Sequence, residues 1–159
     1  MTSPRPETIT CLAALRLAAA RWENATGLAQ TYAEDEDTIR FATVGEALFW
    51  ASALDEQLPR ASQTEDEQLL AGMQYARNRM THGLVVTTTE HAGAVWPMTF
   101  PTHWNHYRWR SADDIPPPTT GQGKSDAGQR LTAYRAVWEG QLVSQTLNAL
   151  TAHFENRLT

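Results

Sequence analysis

A single cysteine, Cys11, stands in the 159 residues. No intramolecular disulfide can form and no spacing resembles a zinc-ligand set, so we expect a reducing, cytoplasmic location and assign no metal ligand and no cofactor. Long apolar runs are missing as well: nothing approaches a membrane span. The N-terminus, with Pro4, Arg5, Pro6 and Glu7 ahead of Ala-rich sequence carrying Arg16 and Arg21, lacks the unbroken apolar core of a signal peptide. No membrane partner is expected. Internal repeats are also lacking. Positive charge is in short supply, with 13 Lys and Arg against 18 Asp and Glu and a net charge of -5. That balance argues against a chain whose whole surface neutralises phosphate.

What is present is a globular composition, 42% hydrophobic and 19% charged, with six Trp. The length suits one domain spanning residues 1–159, long enough to bury a core without covalent staples. Charge is unevenly placed. Between Ala71 and Ala112, four arginines (Arg77, Arg79, Arg108, Arg110) face one acid, Glu90, so this stretch is +3 while the remainder is -8. Four of the five histidines, His82, His91, His103 and His106, share the window.

Apolar spacing of three and four residues predicts helices along most of the chain. Ile9, Leu12, Leu15, Ala19 and Trp22 draw one stripe over 8–26, with Gly27 as its stop. The run Glu34 to Asp37 reads as a solvated loop or an acidic first turn, where the helix dipole favours anions. Phe41, Val44, Leu48, Ala51, Leu54 and Leu58 give a second stripe ending at Pro59, widened by Phe49 and Trp50. Thr64 with Glu67 has capping-box spacing and opens a third helix, expected to run from Glu65 to Val86 on Leu69, Leu70, Met73, Ala76, Met80 and Leu84. From 87 to 128 the pattern breaks. Thr87, Thr88 and Thr89 disfavour helix, prolines and aromatics from His91 to Trp109 predict an irregular, partly extended lid, and the Pro/Gly-rich stretch Asp114 to Gly128 predicts a loop. Leu131, Tyr134 and Trp138 then mark a helix over 129–139 ending at Gly140, and Leu147, Leu150, Phe154 and Leu158 mark a closing one capped at Ser144. The expectation is an all-α bundle of about five helices with an irregular aromatic-rich insertion.

The third helix carries Arg77 followed by Asn78, with His82 five positions after the arginine. This resembles the active-site motif of HEPN-domain ribonucleases, an Arg, then a polar residue such as Asn, then after a short gap a His. The resemblance covers three residues in motif and residues 8–90 with the closing helices in architecture. Metal-free RNA cleavage needs a group that moves a proton at the ribose 2′-hydroxyl or the leaving 5′-oxygen, and a cation that stabilises the phosphate. His82 suits proton transfer near neutrality, Arg77 offers a fork matched to phosphate oxygens, and Asn78 lies one turn from His82, placed to orient it. Arg79, Arg108 and Arg110 are candidates for holding neighbouring phosphates, the last two within an aromatic run, His103 to Arg110, of the kind that stacks bases.

The resemblance implies a metal-independent endoribonuclease acting on RNA, a homodimer in which two motifs share one cleft, and a role as a toxin with an antitoxin partner or in phage defence. The acidic net charge and the insertion between Val86 and Gln129 depart from the family's best-known toxins. Two alternatives stand beside it. Arg77 and Arg79 are solvated helix residues and His82 caps the helix end next to Gly83; or the chain is a non-catalytic adaptor that binds a protein partner through Trp96 to Trp109. A weaker third is a nucleotide- or DNA-binding module.

Overall fold

The computed structural model describes residues 5–28, 36–58, 64–83, 87–91, 106–117 and 124–158. Among these the elements are α1 (Pro6–Leu28), α2 (Glu36–Gln57), α3 (Thr64–Gly83), β1 (Thr88–His91), β2 (His106–Trp109), a short 3-10 turn (Ala112–Asp114), α4 (Lys124–Val137) and α5 (Val143–Leu158). The fold is an all-α bundle of five helices with one small antiparallel sheet.

Polar ties set the directions of the helices. Thr8 Oγ1 donates to Gln57 at 3.0 Å and Arg21 pairs with Glu46 at 2.9 Å, so α2 returns antiparallel along α1. Gln74 Nε2 donates to Asp55 at 2.8 Å, and a Cβ on Gly45 would meet Met80, so α3 is antiparallel to α2. Trp138 lies against Gly72 and Tyr134 against Tyr75, which turns α4 back down α3. Arg16 reaches Glu155, and the buried His153 Nδ1 meets Asp66 in the first turn of α3 at 3.2 Å, which docks α5. The exposed pairs register the helices more than they hold them. Stability comes from the apolar stripes: Leu15, Trp22, Val44, Leu48, Leu54, Met73, Tyr134, Trp138, Leu147, Leu150 and Phe154 are all essentially solvent-free in one cluster.

Some expected positions differ. Ile9 is 53% exposed and Phe49 51% exposed. Ile9 lies in the first turn of α1, where Leu12 and Leu15 already carry the stripe inward. Phe49 stacks edge-on against Trp50 on the outer side of α2, 5.0 Å between ring centres, and so does not widen the buried face. The predicted stop at Gly27 is passed by one residue, and α3 ends at Gly83, with 84–86 outside the described residues.

The insertion is more regular than its sequence suggests. Thr88 pairs with Trp109 and His91 with His106 in an antiparallel ladder. On its other edge, β2 bonds the turn between α4 and α5: the Trp109 N–H donates to Gln141 O and the Gly140 N–H donates to Trp109 O, both at 3.0 Å. Gly140 makes this possible with φ +73, a left-handed conformation that a side chain would strain. Tyr107 packs edge-on against Trp22, and Trp109 lies 4.5 Å from Trp138, so β2 fills a gap in the helical core. The expected loop Asp114 to Gly128 is shorter than predicted, because α4 begins at Lys124 and takes Gly128 into the helix; 118–123 lie outside the described residues.

Candidate functional site

Each residue advances about 100° around an α-helix, and this decides which members of the motif meet. Ala76, Met73 and Met80 point into the core of the bundle. Relative to them Arg77 turns toward one flank, and His82, five residues on, lies about 140° away from Arg77. A single copy of α3 therefore does not bring Arg77 and His82 to one point. Asn78 and His82, one turn apart, do share a face, and Tyr75 and Arg79 border it on the α4 side within about 60° of His82.

His82 is exposed in the last turn of α3 and Asn78 is half-buried. No hydrogen bond joins them among the described residues, so the orienting contact expected of Asn78 is not made in this structure. Arg77 is half-buried, its Nε is shut from solvent without an acceptor, and its carbonyl accepts the Thr81 hydroxyl at 2.8 Å.

The three arginines assigned to phosphate fare differently. Arg79 is 7% exposed, packed where α3 faces α4, and its Nε has no acceptor. An internal phosphate of an extended strand does not reach such a group. Arg108 donates through Nη1 to Gly140 O at 2.6 Å, in the turn that follows Trp138. Since Trp138 lies against Gly72, ten residues before His82, that anchor is about 15 Å along α3 from the histidine. Arg110 is half-buried; its N–H donates to Thr87 O at 2.7 Å and its carbonyl accepts the Tyr134 hydroxyl at 2.7 Å, while its guanidinium makes no hydrogen bond or ion pair among the described residues. Tyr107 and Trp109 are buried at 5% and 1% exposure, which removes them as stacking platforms for bases. His103 and Trp104 lie outside the described residues.

The structure adds two side chains that the motif reading passed over. Tyr75 and Tyr134 lie 4.8 Å apart across the α3–α4 seam. Burial pushes the Tyr75 hydroxyl up, opposed by the charges of Arg79 and Arg135. Tyr134 is driven by burial far above the ordinary phenol range, with Tyr75 and Glu139 adding to the shift and Arg110 opposing it. Both stay protonated donors at neutral pH. The sequence did carry a signal for this face: residues 75, 78, 79 and 82 fall at the three, four and seven spacing of one helix side. Among the described residues no three His, Cys, Asp or Glu side chains gather as a metal would need.

Comparison with protein-family models, curated proteins and solved structures gives no match for this chain.

Proposed function

We propose that the chain is a metal-independent endoribonuclease of HEPN type that acts as a homodimer, in the setting of a toxin or of phage defence. The observation that carries this reading is His82, exposed and free of any protein partner among the described residues, on the same face of α3 as Asn78. In it His82 moves the proton at the ribose 2′-hydroxyl or the leaving oxygen, and Asn78 binds beside it. Because Arg77 faces away from His82 in one chain, its charge serves a phosphate only across the dimer, beside the histidine of the second copy. Acid and base roles are likewise completed by two copies of His82.

The test is incubation of the purified protein with total cellular RNA in EDTA, with product ends probed for cyclic phosphate. Wild-type protein is expected to cut, His82→Ala to lose at least about 100-fold in rate, and an equimolar mixture of Arg77→Ala and His82→Ala chains to recover part of the activity through mixed dimers. Equal cleavage by wild type and His82→Ala, or intact RNA after incubation with folded wild-type dimer, would falsify the reading.

A second reading has one observation in its favour. Ile9, Leu17, Ile39 and Phe49 are large apolar side chains between 42% and 53% exposed on α1 and α2. A non-catalytic adaptor would use them, and not the buried Tyr107 and Trp109, to hold a protein partner.

A further inference from the structure

The last register pair of the small sheet consists of two histidines. Thr88 stands opposite Trp109, Thr89 opposite Arg108, Glu90 opposite Tyr107 and His91 opposite His106. Directly opposed residues of an antiparallel pair belong to one face of the sheet, and the faces alternate along each strand. Tyr107 and Trp109, at 5% and 1% exposure, mark the core face, so positions 89, 91, 106 and 108 fall on the outer one. The ladder also fixes their separation. The Arg110 N–H donates to Thr87 O at 2.7 Å, and every second pair from there, Thr89 with Arg108 and His91 with His106, is of the hydrogen-bonded kind, with Cα atoms about 5.5 Å apart. The two histidines are far apart in sequence, and only the register makes them neighbours.

At that spacing two imidazoles can share one ion held about 2.0–2.1 Å from each nitrogen. The surroundings suit a cation. The connection 92–105 contains no Asp, Glu, Lys or Arg. Arg108, the one positive charge at the outer positions, is turned to Gly140 O at 2.6 Å. Cys11 is the chain's one thiol and lies buried among the helices, so it does not compete as a ligand. Neutral imidazole selects zinc, copper or nickel over magnesium and calcium, which take oxygen ligands. Among the described residues no group of three ligands gathers, and two imidazoles make an open, reversible site in place of a closed structural one.

We infer that His91 and His106 form a two-histidine site for a divalent transition-metal ion of the zinc kind, which clamps the outer end of the β1–β2 ladder. The backbone bonds from β2 to the turn between α4 and α5 lie at Trp109, the opposite end, so a bound ion fastens the end where the connection 92–105 leaves and returns. Since Tyr107 and Trp109 of the same strand sit in the core, the clamp acts on the bundle as well as on the sheet. The inference does not rest on the ribonuclease reading, because it uses neither Arg77 nor His82.

Isothermal titration of the full chain with Zn²⁺ at neutral pH tests it. The wild type is expected to bind one ion per chain, and Mg²⁺ to give no binding heat. His91→Ala and His106→Ala are each expected to weaken Zn²⁺ binding at least about tenfold, and the double variant to lose no more than either alone, because both side chains act on one ion. His91→Cys replaces one zinc ligand with another and is expected to retain binding, which separates a lost ligand from a damaged hairpin. His82→Ala is expected to bind like wild type whether or not the protein cuts RNA. The proposal is overturned by no binding in the wild type as Zn²⁺ rises to millimolar, by undiminished binding in His91→Ala or His106→Ala, by loss of binding in His91→Cys, or by loss of binding in His82→Ala.

Discussion

Gly72 lies against the indole of Trp138, the residue after α4, and its missing side chain leaves room for that ring, whose Nε1 donates to the Leu69 carbonyl at 3.0 Å. An added Cβ would overlap the indole Cδ1 and Nε1. Gly72→Ala should therefore cost about 1–3 kcal/mol in urea unfolding, despite alanine's better helix propensity. Gly128 is the opposite case, an exposed glycine inside α4 where a Cβ would meet nothing within 4 Å. There Gly128→Ala should stabilise by about 0.5–1 kcal/mol, by narrowing the unfolded ensemble. The same substitution thus changes sign within one pair of helices. Nothing in the local sequence around either glycine distinguishes them; only the position of Trp138 does.

At the scale of elements, α3 shows how far a pattern can be read. Its start, its core stripe of Met73, Ala76 and Met80, and the sharing of a face by Asn78 and His82 all follow from spacing, because helical geometry is periodic and local. The burial of Arg79 does not follow from spacing. It depends on α4 arriving on that side of α3, and α4 is 41 positions further along the chain at Lys124 than the Gly83 end of α3. Strand β2 makes the same point. His106 to Trp109 alternate as a strand should, but four residues flanked by prolines and aromatics carry too weak a period to be separated from irregular chain. What makes them a strand is non-local: a partner in β1, a second in the turn at Gly140, and two indoles, Trp22 and Trp138, under their side chains.

At the scale of the whole molecule, the buried tyrosines link the fold to pH. In the unfolded chain both titrate near the ordinary phenol value of 10.0, whereas folding raises Tyr75 and raises Tyr134 much further. Above that pH the unfolded state binds fewer protons than the native state, so stability is fully present below about pH 10 and falls as pH rises toward the folded values. Chemical denaturation across pH 8 to 11 should show a falling alkaline limb, approaching about 1.4 kcal/mol per pH unit for each tyrosine held neutral. In Tyr134→Phe the limb should lose one such step, with about 1 kcal/mol lost at neutral pH from the hydrogen bond to Arg110. An unchanged alkaline limb in Tyr134→Phe would show that this hydroxyl is not held neutral by the fold. No helix among the described residues is long and apolar enough to cross a membrane.

By itself the sequence determined the five helices, most of the residues they bury, the stop at Gly140, and the pairing of Asn78 with His82 on one face. Each depends on residues within two turns of one another, where backbone geometry leaves little choice. The tertiary structure alone decided that Arg79 is buried, that Arg108 is tied to Gly140, and that Tyr107 and Trp109 belong to the core. Those outcomes depend on which distant element packs against a given helix face, and an arginine's sequence neighbours do not reveal whether it will meet water, a carbonyl or another helix.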